Sequence, residues 1–564
     1  MQFRVGLALG VYVGALVLGA CSSDSSTSDD SGGGDSGGSG GDGSGGSGGD
    51  AAGGGGGTSS AGKGGGATMT GGTGAGGAAG TAGGGGGNVV SIGTDPDPAS
   101  WGPCQMIPVP AGVMIGMTPL KTSPSVATKC IPADSGVSRS LSLMATSTPQ
   151  KKHKVKVLFY GQSITRGGWT PMTESYLRAT FPNADLEVRQ EAIGAFGAKE
   201  LFSTVENDVI TWYPDLVIYH NYGGYPDIDS LIQEIRRRTT AEVMHQTQHV
   251  TTQDAGTQSS YDRESYIYFP DIAKRLGIHT IDIRTPWKAY MQQKGKSAQD
   301  LTMPNDGLHL NGEGNMLYAQ ITNADLKYND KILVDPLRMV STFEVGKQVN
   351  WNGKKLTFQF EGNRIDFLAK TGGTLAAGGA TVLIDGKKPS EFAGAYGATR
   401  PNRELDTNWP WSIGSVLRVT IDPSAMPKAE DWTLKLTSIN KAGDCAFTVT
   451  GSVTGADGSG TCASNFVSNS KRVVINKADF FFVRPQNEVN RISIPVGYEI
   501  KWKVLALHAD SYPPTAINAS DASKEYLTTI VQGIPNGKHT LELTATGDTP
   551  PSIEAIRVHR PPLR

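Results

Sequence analysis

Val155-Lys156-Val157-Leu158-Phe159-Tyr160-Gly161-Gln162-Ser163-Ile164-Thr165 is the stretch on which the fold turns. A short apolar run closed by a glycine reads as a buried strand. It delivers a serine onto a tight turn at the strand's C-terminal end, where a nucleophile has to sit. Leu186-Glu187-Val188-Arg189, Leu216-Val217-Ile218-Tyr219, Ala241-Glu242-Val243-Met244 and His279-Thr280-Ile281-Asp282-Ile283 repeat the strand signature. Helix signals fall between them: Asp229 to Ile235 follows an Asp cap, and Pro270 to Leu276 ends on Gly277. Strand and helix in alternation from Lys154 to about Tyr328 predict an α/β unit, a parallel sheet covered on both faces in three layers. Its ligands would lie beyond the C-terminal ends of the strands.

A serine after a glycine is common in turns, so Ser163 alone says little. The weight comes from Asp306-Gly307-Leu308-His309-Leu310-Asn311, just before a final helix beginning near Gly312. Taken singly, His309 reads as a loop histidine and Asp306 as a turn residue. Taken with Ser163, they supply the base that a hydroxyl needs and the carboxylate that holds the base's tautomer. A strand followed by Gly-x-Ser-x-Thr, with Asp-x-x-His near the end of the same region, resembles the SGNH (GDSL-like) hydrolase superfamily. The resemblance covers about residues 154 to 328 and implies a flavodoxin-like three-layer sandwich. It implies Ser163 as nucleophile, His309 as base and Asp306 as its orienting carboxylate, with no metal or organic cofactor.

The same resemblance implies oxyanion donors from the Ser163 N–H, from Gly194 in Ala192-Ile193-Gly194-Ala195-Phe196-Gly197, and from Asn221 in Tyr219-His220-Asn221-Tyr222-Gly223. Ala195 replaces Gly194 if the block aligns one residue later. Without the resemblance, Gly194 reads as a tight turn and Asn221 as a cap. Gln162 stands where the family usually has Asp, and His220 where a glycine often precedes the Asn. The expected substrate is an O-acetyl ester on a polysaccharide or oligosaccharide. A short-chain lipid or aryl ester is the alternative, and a non-catalytic glycan-binding lipoprotein on a degenerate scaffold is the alternative from another class.

Beyond Pro336 the texture changes to alternating strands and Asn-Gly or Asp-Gly turns, an all-β region over 336–564. Leu356 to Phe360, Ala380 to Gly386 and Gly537 to Leu543 are expected to close one jelly-roll-like sandwich, with an inserted β unit at about 425–515. At the other end, Arg4 and the apolar run Val5 to Val17 read as a signal peptide, residues 1–20. The run is short of the roughly 20 residues a spanning helix needs. Leu18-Gly19-Ala20-Cys21 resembles a bacterial lipobox, which implies lipidation of Cys21 and a membrane anchor. Ser22 then points, by analogy, to the outer membrane or cell surface of a Gram-negative bacterium. Residues 21–95, rich in Gly, Ser, Asp and Ala, read as a flexible tether and 96–150 as a lead-in segment.

Of 564 residues, 51 are basic and 53 acidic, so the net charge of −2 gives no pull toward nucleic acid. Cys104, Cys130, Cys445 and Cys462 form an even set in an exported chain. Their short separations favour Cys104–Cys130 and Cys445–Cys462 among the three pairings open to them. His245 and His249 have metal-like spacing, but a loop lining the substrate cleft is the simpler reading. Trp169, Trp212 and Trp287 could stack on sugar rings, although tryptophan is more often core. Asn518-Ala519-Ser520 has the form of a glycosylation acceptor.

Overall fold

Five parallel strands, β1 (Lys154–Gly161), β2 (Asp185–Ala192), β3 (Leu216–His220), β4 (Glu242–Gln246) and β5 (His279–Ile281), form a sheet in the order β2-β1-β3-β4-β5. That is the doubly wound order whose direction of winding reverses between β1 and β3, opening a crevice past their C-terminal ends. This computed structural model describes residues 137–254, 260–304, 306–331, 333–371, 378–402, 416–482, 494–513 and 521–564. The signal-peptide and tether expectations, Cys21, Cys104, Cys130 and Asn518 lie outside the described residues.

Side chains along β1 alternate between two cores. Val157 and Phe159 join one cluster with Trp169, Trp287 and Tyr318, and Leu158 and Tyr160 join the other with Leu201, Ile232 and Phe269. The run is continuously apolar because helices cover both faces of the sheet. The helices are α1 (Ser138–Thr146), α2 (Trp169–Thr180), α3 (Ala198–Val205), α4 (Tyr225–Arg238), α5 (Ser260–Arg263), α6 (Phe269–Leu276), α7 (Arg284–Lys294) and α8 (Gly312–Asp325). Helix α1 packs Leu141 and Met144, with Val137 just before it, into the same cluster as Val155. Trp169, Trp212 and Trp287 are all buried core residues.

One helix start differs from the sequence reading. Helix α4 begins at Tyr225 after Gly224, with Pro226 in its first turn, so Asp229 lies inside the helix and caps nothing. The proline's fixed φ suits a first turn, and acidic side chains there complement the positive helix end. The α6 stop does fall at Gly277, which adopts φ 61°. Among the described residues no helix is long and apolar enough to cross a membrane.

The remaining strands are β6 (Val340–Glu344), β7 (Lys355–Ala369), β8 (Ala380–Ile384), β9 (Tyr396–Ala398), β10 (Glu430–Ile439), β11 (Cys445–Gly451), β12 (Gly455–Thr461), β13 (Phe466–Val467), β14 (Val474–Ile475), β15 (Glu499–Ala506), β16 (Ser511–Tyr512), β17 (Leu527–Ala545) and β18 (Ile553–His559). They make a six-stranded sheet, β16-β8-β17-β7-β18-β6, and a five-stranded one, β12-β11-β10-β15-β9, with β13 and β14 paired separately. The segments around 358, 382 and 541 are neighbours in the six-stranded sheet, with Leu541 opposite Phe358 on one side and Ile384 on the other. The five-stranded sheet has its own core around Trp432, Leu434, Phe447 and Trp502. A Cys445–Cys462 disulfide ties β11 to the residue after β12.

Buried polar contacts join this β region to the α/β unit. Asn207 donates to the Ala398 carbonyl at 2.7 Å, Tyr213 to Asn363 at 2.8 Å, and Gln532 to the Ile210 carbonyl at 3.1 Å. Arg400 reaches Glu191 at 3.3 Å and Asp208 at 3.3 Å, all three side chains being at most 7% exposed. Removing one partner of a buried ion pair strands the other. Arg400→Leu is therefore expected to lower unfolding free energy by about 3 to 5 kcal/mol. Denaturant titration of the full chain checks this, and an unchanged midpoint would refute it.

Candidate active site

Three consecutive strand ends set the site. Gly161 at the end of β1 is in register with Ala192 of β2 and His220 of β3, so the turns after all three start side by side. A Cβ at Gly161 would collide with the His220 carbonyl oxygen and Thr165 Oγ1, which is why glycine precedes the nucleophile turn. The turn is held from below by the Trp169 indole, whose Nε1–H donates to the Ile164 carbonyl at 2.7 Å.

Ser163 Oγ lies 2.8 Å from His309 Nε2, and His309 Nδ1 lies 2.8 Å from Asp306 Oδ2. The hydroxyl is also 2.6 Å from Gln162 Oε1, which accepts the Ile164 N–H at 3.1 Å. One serine proton thus faces two acceptors, the imidazole and the Gln162 carbonyl. Asp306 Oδ1 accepts from the backbone N–H of Leu308 at 2.8 Å and of His309 at 2.9 Å. Partial burial works against ionisation of Asp306. It is outweighed by those two donors and the imidazole, so the carboxyl is held below its ordinary range. The side chains of His309 and Asp306 are 39% and 40% exposed, so the relay lies open to solvent. Such a Ser–His–Asp chain can move a proton from the hydroxyl to Nε2 while the carboxylate supports the imidazolium.

Gly194 and Asn221 follow β2 and β3, as the sequence pattern requires. Ala195 holds φ 63°, a left-handed conformation that turns the backbone sharply just after Gly194. The Asn221 side chain is fully buried, and among the described residues its amide makes no hydrogen bond of ordinary geometry. Its backbone carbonyl accepts from Gln248 Nε2 at 2.6 Å, and Gln248 Oε1 is 2.9 Å from His220 Nε2. Burial pushes His220 well below its ordinary pKa.

His245 and His249 do not come together as a metal pair. His245 sits on β4 between Tyr219 and Phe269, at ring-centroid distances of 5.1 and 4.2 Å, and burial lowers its pKa to about 3. His249 lies in the loop after β4, with Nε2 2.9 Å from the Leu308 carbonyl oxygen. Among the described residues no group of three His, Cys, Asp or Glu is placed to hold a metal ion. Within that loop residues 247–250 are buried, Thr252 and Gln253 are exposed, and the contacts to the Asp306–His309 turn are made by His249 and Thr252. The unread signal was Gln246-Thr247-Gln248-His249, a polar run continuing directly from a strand with no turn residue between.

No protein-family model matches the chain, and no curated protein does. Similar solved structures include a catalytic mutant of an acetylxylan esterase from Geobacillus stearothermophilus. It is 16% identical, with coverage of 32% of this chain and 97% of that one and a TM-score of 0.29. A two-domain esterase active on acetylated mannans, co-crystallized with mannopentaose, is 12% identical over 74% of this chain and 92% of its own, with a TM-score of 0.28. A protein of Parabacteroides merdae named as a GDSL-like lipase is 16% identical over 31% and 98%, with a TM-score of 0.28. The α/β fold class itself follows from this chain's own strand order and register.

Proposed function

We propose that the chain is a serine esterase that removes O-acetyl groups from a polysaccharide or oligosaccharide through an acyl-enzyme. The continuous hydrogen-bonded relay from Ser163 through His309 to Asp306 is the observation that carries the reading. Ser163 Oγ attacks the ester carbonyl as its proton passes to His309 Nε2. The tetrahedral oxyanion is received by the N–H groups of Ser163 and of Gly194 or Ala195; the Asn221 amide, fully buried in the free protein, joins them once substrate binding uncovers it. His309 then protonates the leaving sugar hydroxyl, and water, activated by the same imidazole, releases acetate.

The carbohydrate assignment draws support from the exposure of His309 and Asp306, which lets an ester carried on a bulky chain approach where a deep tunnel would not. Tethering through a lipidated Cys21 at a cell surface would suit an immobile polymer. The test is acetate release from acetylated xylan and from p-nitrophenyl acetate, together with a fluorophosphonate probe mapped by peptide mass. Turnover of both, with the probe attached at Ser163, is expected. Hydrolysis of the small ester alone would remove the carbohydrate assignment, and no hydrolysis with no labelling would remove the esterase.

A further inference from the structure

The loop that carries Asp306 and His309 is held by the segment that follows β4. Two of its carbonyls are taken up by that segment: Gly307 accepts the Thr252 N–H at 2.9 Å, and the Leu308 oxygen lies 2.9 Å from His249 Nε2. Gly307 adopts φ 63°, and a Cβ there would run into the Thr252 side chain, so the approach needs a glycine. His249 is fully buried, its ring 5.3 Å from Trp287 and 6.2 Å from Tyr318, centroid to centroid.

The backbone of His249 is held in turn. Arg284, at the start of α7 and 1% exposed, donates through Nη1 to the His249 carbonyl at 3.0 Å and through Nη2 to Asp254 at 2.6 Å. Asp254 closes the loop on itself by accepting the Thr251 N–H at 2.7 Å. Thr247 Oγ1 accepts from the backbone N–H of Ile283 and Arg284 at 2.9 and 3.0 Å. A continuous chain of contacts therefore runs from α7 through residues 247–254 to the turn bearing the acid–base pair.

We propose that His249, secured by Arg284, is a positioning residue for catalysis: its Nε2–H donates to the Leu308 carbonyl and so fixes the turn that presents Asp306 and His309 to Ser163. The proposal rests on the serine esterase reading. A carbonyl can only accept, so the role requires Nε2 to carry the proton. Burial holds His249 to a pKa of about 4, with Asp254 pulling upward and Arg284 and His309 downward, so the ring stays neutral under ordinary conditions. Nδ1 is then the acceptor and lies 3.5 Å from the Tyr222 hydroxyl. A misplacement of about 1 Å at a reacting group can cost about a hundredfold in rate.

The test compares His249→Phe, which fills the space without a donor, with His249→Gln, whose amide can reach the same carbonyl. In the full chain, the phenylalanine variant is expected to lower kcat for p-nitrophenyl acetate by about 10- to 100-fold with KM nearly unchanged, and the glutamine variant to recover most of it. Equal rates in the two variants would overturn the proposal. Nitrogen-15 spectra of the wild-type histidines, assigned through the glutamine variant, keep it testable if the phenylalanine variant does not fold. They are expected to show His249 as the neutral Nε2–H tautomer from about pH 5 to 8. An Nδ1–H tautomer, or protonation in that range, would overturn the clamp. Should the wild type hydrolyse no ester, the esterase reading fails while the spectra still report on the contact.

Discussion

If the proposed esterase mechanism holds, Ser163→Ala is expected to lower kcat for p-nitrophenyl acetate by about a millionfold, the scale on which loss of the nucleophile disables a serine-protease triad. The change removes one oxygen from a turn whose other supports stay in place: the Trp169 indole on the Ile164 carbonyl and the Gln162 side chain on the Ile164 N–H. The folded state should survive, and the unfolding midpoint should match wild type. His309→Ala should fall by a similar factor, and the double variant should be no worse than either single one, because residues that act as a unit lose their effect together. Independent structural defects would instead add. Single-turnover kinetics on the three variants check this, and a loss that grows multiplicatively in the double variant would refute a shared catalytic role.

The parts of this arrangement that were legible in the sequence share a physical cause. Val155 to Tyr160 announces a buried strand because both faces of β1 meet helices, so no polar residue is needed after Lys156. Asp306 and His309 stand out because their hydrogen bond is local, three residues apart, and leaves a readable spacing. Ser163 lies 146 residues away in the chain from His309, yet the strand order predicts their meeting, since each occupies a loop at the same edge of one sheet.

What could not be read depends on main-chain acceptors and on distant partners. The contact from His249 to the Leu308 carbonyl places no demand on the identity of residue 308, so the sequence there carries no trace of it. Arg400 looks like any surface cation until the fold brings it to Glu191, 209 positions earlier. The early start of α4 leaves little mark in the sequence because Gly224-Tyr225-Pro226 reads equally well as a loop. Gln162 reads as an ordinary polar neighbour of Ser163, and only the folded turn shows its side-chain carbonyl competing with His309 for the serine proton.

Asp306→Asn is the sharper probe of the relay, since the new side chain has nearly the same shape and no arrangement of it satisfies all three of its present partners. Oδ1 now accepts two backbone N–H groups while Oδ2 faces His309 Nδ1. If the asparagine keeps its oxygen on the backbone donors, its NH2 points at Nδ1 and stabilises the tautomer with the proton on Nε2, which cannot accept from Ser163. If it flips, its NH2 opposes the Leu308 and His309 N–H groups and the turn must open. Either outcome is expected to lower kcat by about 10^3- to 10^4-fold. Ionisation of Asp306 carries the matching pH prediction. Because its folded-state pKa is depressed, its contribution to stability is present above the ordinary carboxylate range and is lost as the pH falls through the lowered value. In the asparagine variant that acid-side loss of stability should be smaller than in wild type, which paired acid-unfolding curves would reveal. An asparagine variant within tenfold of the wild-type kcat would mean that His309 needs no carboxylate, leaving the backbone and the His249 contact to orient it.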